Sequence, residues 1–86
     1  MVWLGGRIGS VDANRITLRE DDGSVVSLQR LAKGATGFFR VSGDHWTRLS
    51  QSSPVSPDQA ACIETLMDRT NLVAIRVFLD SGCGPI

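Results

Sequence analysis

Few residues in this sequence have types and spacing suited to chemistry. His45 is the one histidine, with Asp44 before it and Ser42 nearby, so a nucleophile–base pair is the most this segment offers. Adjacent residues in a strand or tight turn point in different directions, which leaves Asp44 badly placed to orient the imidazole. The run Ser42-Gly43-Asp44-His45 reads instead as a solvated hairpin tip made of turn formers. Glu20-Asp21-Asp22 gathers carboxylates, but the alternating acids and later bidentate Glu of a calcium loop are missing, so a charged turn is expected. Gly5-Gly6 and Gly34 to Gly37 match neither phosphate-binding glycine pattern and are expected to permit bends in a sheet. The expectation is a chain with no catalytic residues, no metal and no cofactor.

Cys62 and Cys83 have no partner His or Cys at a metal-binding spacing. Cys62, between Ala61 and Ile63, reads as a small packing residue, and Cys83, between two glycines, as a more accessible thiol without an activating neighbour. A Cys62–Cys83 bridge stays open as an alternative. The opening Met-Val-Trp-Leu-Gly-Gly has neither the basic start nor the long apolar run of a secretory signal, which favours a reducing, cytoplasmic setting.

The aromatic and basic residues form a richer set. Trp3, Phe38, Phe39 and Trp46 interleave with Arg30, Lys33, Arg40 and Arg48. Small barrels bind single-stranded nucleic acid on such aromatic platforms, so Arg30, Lys33, Arg40, Arg48 and Trp46 are the candidate nucleic-acid contacts. Large aromatics are more often buried, so a core role is preferred for the hairpin side with Val41, Phe39 and Trp46, and Trp3 is expected to seal a barrel end. Net charge points the same way: nine basic and nine acidic groups cancel, whereas a dedicated nucleic-acid binder usually carries a basic excess. Eight of the nine basic residues are Arg, a usage that fits a bacterial, GC-rich source.

The elements that must position these residues are mostly strands. At 86 residues and 42% apolar composition, the chain fits one small domain around one core, 1–86. No apolar run approaches the roughly 18 residues of a membrane span. Turning at Ala13-Asn14 sets Val11 against Ile16, Ser10 against Thr17 and Gly9 against Leu18, with an Asp12–Arg15 ion pair beside the turn. A three-residue Asp21-Asp22-Gly23 loop sets Leu18 against Val26 and Ile16 against Leu28, with Gly23 left-handed. A two-residue loop would set Leu18 against Ser27 and mix the faces. A third hairpin, 36–41 with 46–49, carries Phe39, Val41 and Trp46 on one side and Phe38, Arg40, Thr47 and Leu49 on the other. The segment 50–56 is a Ser/Pro-rich loop.

Ser56-Pro57-Asp58-Gln59 carries the signals of a helix start, and Ala60, Ile63, Leu66 and Met67 follow at helical spacing, so a helix is predicted to run to Thr70-Asn71. Leu72–Leu79 is predicted as a strand and 80–86 as a Gly-rich tail. The fold class expected is α+β, mainly β: a bent antiparallel meander, an SH3-like or OB-like half-barrel, with one helix before its last strand.

The function expected is a non-catalytic protein-interaction or regulatory domain. Apolar residues on both sides of 72–79 and around Phe38 exceed what one short helix covers, which predicts self-association into a homodimer. Its surface would use Phe38, Leu49, Arg76 and Phe78, with Arg76 at the rim or paired to Asp68 or Asp80 across the interface. The alternative is a barrel that binds single-stranded nucleic acid.

Overall fold

Three short turns set the register of the first five strands. The computed structural model describes residues 2–12, 14–31, 36–50 and 55–83. Strands β1 (Val2–Val11) and β2 (Arg15–Glu20) meet with Val11 opposite Ile16 and Ser10 opposite Thr17, as expected. The Asp12 carboxylate accepts the backbone N–H groups of Asn14 and Arg15, each at 2.8 Å, in place of the expected ion pair with Arg15. Those bonds hold its carboxyl below the usual range. A bulge then sets Leu18 against Ile8, where a regular ladder would have used Gly9. The shift turns Ile8, a buried side chain, into the core.

Strand β3 (Val25–Arg30) follows the predicted three-residue loop: Leu18 faces Val26, Ile16 faces Leu28, and Gly23 has φ +91°. The acidic run there serves the turn. Ser24 donates its N–H to the Asp22 carboxylate at 2.9 Å, and its hydroxyl lies 2.6 Å from Asp22 and 2.8 Å from Glu20. Strands β4 (Gly37–Ser42) and β5 (His45–Leu49) pair Val41 with Trp46 and Phe39 with Arg48 around Gly43-Asp44.

The predicted helix is a strand. β6 (Ala60–Asp68) lies between β1 and β7 (Asn71–Leu79), antiparallel to both. The capping signals are present but are used otherwise. Ser56 donates its N–H to the Gln59 side-chain oxygen and accepts the Gln59 N–H, each at 3.2 Å, while Asp58 takes φ +64° and closes a turn. Ala61, Ile63 and Thr65, on alternate positions, are then buried among the other inner side chains, and Cys62 and Glu64 are buried on the opposite face. Pairing with two neighbours outweighs local helix preference, which spans only tenths of a kcal/mol per residue.

The seven strands run in the order β3-β2-β1-β6-β7-β4-β5, and a parallel β3–β7 contact, Gln29 with Val73 and Arg30 with Ala74, closes five of them into a barrel. Closure replaces the expected half-barrel with a helix over its open end. Beyond Ala74, β7 exchanges neighbours, pairing in parallel with β4 from Gly37–Arg76 to Arg40–Leu79. Ile8, Ile16, Leu18, Leu28, Phe38, Ile63, Val77 and Leu79 fill the interior. Thr36 is buried there as well, with its hydroxyl donating to the Ala74 carbonyl and accepting the Leu31 N–H, both at 2.8 Å. Among the described residues there is no helix, so none is long and apolar enough to cross a membrane.

Candidate functional site

Strand registers bring four rings to the outer face of β1, β6, β7, β4 and β5. One row runs Gly5, Cys62, Phe78, Phe39, Arg48 across the five strands; the next runs Trp3, Glu64, Arg76, Gly37. Trp46, opposite Val41, adds the fourth ring. Phe78 is the floor at 6% exposure, and Trp3 and Trp46 stand over it at 49% and 61%. Ring centroids lie 6.0 Å apart for Trp3–Phe78, 5.1 Å for Trp46–Phe78 and 5.4 Å for Phe39–Phe78. The last pair is stacked and the Trp46 pair edge-to-face, both favourable arrangements for rings.

Between the two tryptophans lies an apolar groove of about 490 Å³, walled by Val41, Arg76 and the segment Ser81–Cys83. Cys62 and Cys83 are joined in a disulfide, which corrects the expectation of two free thiols. The bond ties the chain after β7 back onto the sheet. Gly5 leaves the space this needs, since a Cβ there would stand 3.2 Å from that of Cys83. On the far side of the disulfide, Trp3, Gly6, Arg7, Asp21 and Ala60 line a second hollow of about 470 Å³.

Electrostatics on this face centre on one ion pair. Arg76 donates from Nε and a terminal nitrogen to the two oxygens of Glu64, at 2.7 and 2.8 Å. That bond holds the Glu64 carboxyl below its usual range against the opposing effect of burial, and holds Arg76 above its own. The Arg76 guanidinium also lies 5.7 Å from the Phe78 ring centre, and that of Arg48 lies 5.8 Å from Phe39.

The sequence-predicted residues divide between two sides of the sheet. Phe38 belongs to the core and Leu49 packs against it, so neither offers free surface as expected. Arg76 and Phe78 do reach the outer face, but Arg76 pairs with Glu64 of its own chain and not with Asp68 or Asp80. Of the candidate nucleic-acid contacts, Trp46 and Arg48 come together. Arg40 lies 3.4 Å from Asp80, and Arg30 reaches the Asp12 carbonyl and the Phe38 ring, away from this face. Lys33 lies outside the described residues. The preferred core reading, made for the side with Phe39, Val41 and Trp46, is reversed: that side faces outward, and Phe38, expected at the surface, lies in the core. Trp3, named with these rings but not among the candidate contacts, joins the face through the β1–β6 pairing, which no local signal in the sequence gives.

His45 and Asp44, 3.4 Å apart, project into solvent at the β4–β5 tip. No three metal-type ligands gather among the described residues. Comparison with known proteins finds no matching family model, no matching curated protein and no matching solved structure.

Proposed function

We propose that this chain is a non-catalytic interaction domain whose outer aromatic face takes an apolar or aromatic side chain from a protein partner. The observation that carries this reading is the pair of half-exposed tryptophans held over a buried Phe78. Exposed apolar area of this kind is what soluble domains avoid unless it is used. The rings are fixed by neighbouring strands and by the disulfide, so binding orders little that is not already ordered. The Cys62–Cys83 bridge favours an oxidising compartment over the cytoplasm in this reading.

The strand connectivity is OB-like, with the β4–β5 hairpin standing where such barrels carry a helix. OB barrels bind oligonucleotides on the face of their second and third strands. The outer positions of β2 and β3 here are Arg15, Thr17, Arg19, Val25, Ser27 and Gln29, none of them aromatic. A stacking platform is missing from that face, which favours a protein partner over single-stranded nucleic acid.

Panning a displayed peptide library against the folded domain tests the proposal. Enriched peptides should share a Trp, Phe or Leu anchor and lose binding on Trp46→Ala. Tight oligonucleotide binding at physiological salt, lost when Arg48 and Trp46 are replaced together, would favour the nucleic-acid reading instead.

A further inference from the structure

We infer that β5 pairs with β5 of a second copy, antiparallel and about a two-fold axis through Thr47. This concerns the edge of the sheet and does not rest on the use of the aromatic groove. Barrel closure by β3–β7 leaves β5 as the strand bonded on one side only among the described residues. The tight turn at Gly43-Asp44 makes Ser42 and His45 a hydrogen-bonded pair. Along β5 the backbone groups of His45, Thr47 and Leu49 therefore turn toward β4, and those of Trp46 and Arg48 turn to the open edge. β5 itself contains no proline, and an open strand edge is a template for another strand.

The sequence of β5 is complementary to itself in this arrangement. Centring on Thr47 sets Trp46 of each copy against Arg48 of the other, both as hydrogen-bonded pairs, so all four outward backbone groups of each strand are used. Both side chains lie on the outer face. Arg48 lies over Phe39 and Trp46 over Phe78, both leaning toward β4, so each must turn to the open edge for guanidinium and ring to meet across the axis. Registers slipped by two residues are poorer. One opposes Arg48 to Arg48; the other opposes Trp46 to Trp46 and must recruit the turn residue Asp44. The result is a two-fold dimer whose two aromatic faces lie side by side on one continuous sheet.

Five residues bury little area, so the dimer is expected in the weak, concentration-dependent range. Sedimentation equilibrium from tens of micromolar to millimolar protein should move the mass from 9.3 kDa toward twice that value. Over the same range, amide exchange at Trp46 and Arg48 should slow by about tenfold or more, with Thr47 unchanged. Arg48→Pro removes an outward N–H and spares the β4–β5 bonds, so it should return the chain to single-chain mass. Arg48→Glu, which keeps every backbone group, should weaken the dimer in the same direction. A mass fixed at 9.3 kDa throughout would overturn the inference. So would a dimer in which the Trp46 and Arg48 amides exchange as they do in the dilute chain, whatever the variants do.

Discussion

Arg76 and Glu64 face each other across the β6–β7 ladder, and the guanidinium grips both carboxylate oxygens while the two groups differ sharply in exposure. The Glu64 side chain is 5% exposed and that of Arg76 43%. Removing one partner therefore differs from removing the other. Glu64→Ala leaves a guanidinium that water can reach, so the smaller loss is expected. Arg76→Ala leaves the less exposed Glu64 carboxylate without its partner, so the larger loss of stability is expected there unless it takes up a proton. Denaturant unfolding of the two variants at neutral pH gives the order.

The same pair fixes the sign of an acid limb. Because the folded-state carboxyl titrates below the usual glutamate range, its contribution is complete above that range and fades as pH falls through the depressed value. In Arg76→Ala the buried, unpartnered carboxyl should titrate above the usual range, so this variant gains relative stability in acid. Unfolding midpoints measured from neutral pH downward should converge for wild type and variant.

The Cys62–Cys83 bridge spans 21 residues of sequence, and opening it should cost about 3 kcal/mol by the loop-entropy estimate. Reduction also frees Ser81 to Cys83 from Gly5 and removes one wall of the groove. A dithiol reductant should lower the unfolding midpoint and weaken any groove ligand together. Cys62→Ala with Cys83→Ala should reproduce both effects without reductant.

Gly23 has φ +91° with open space around its Cα, so a substitution there meets backbone strain and no steric neighbour. Gly23→Val is expected to cost about 1 kcal/mol or more, and Gly23→Asn distinctly less, since Asn tolerates the left-handed region. Thermal unfolding of the two variants separates backbone strain from packing.

Local chemistry made the hairpins legible. Leu18 opposite Val26 and Val41 opposite Trp46 follow from turn length and two-residue alternation, both readable in a few consecutive residues. β6 was illegible for the converse reason. Ala60, Ile63 and Met67 fit a helix stripe while Ala61, Ile63 and Thr65 fit one strand face, and of the partners that decide the matter, β1 lies far away in sequence. Barrel closure shares that cause, since Gln29 and Val73 meet across 44 positions. The side of the hairpin that faces inward was open too: both sides of β4 are apolar, and only its pairing with β7 sends Phe38 in and Phe39 out.

Three aromatic truncations separate the core from the face. Phe38→Ala empties a buried site and should cost about 3–5 kcal/mol. Phe78→Ala removes the floor beneath Trp3, Trp46 and Phe39, so it should lose both stability and peptide binding. Its aspartate counterpart, Phe78→Asp, would set a charge on that nearly closed floor and is expected to unfold the chain instead of dissociating a dimer. Trp46→Ala is the informative variant. Its ring is mostly exposed, and the Val41 opposite it stays paired through the backbone, so a stability change within about 1 kcal/mol is expected. Binding of an apolar-anchored peptide should nevertheless fall by about tenfold or more, as expected for an aromatic anchor. Fluorescence of the remaining Trp3 during peptide titration reads that loss directly, and unchanged affinity in Trp46→Ala would remove the groove from the interaction.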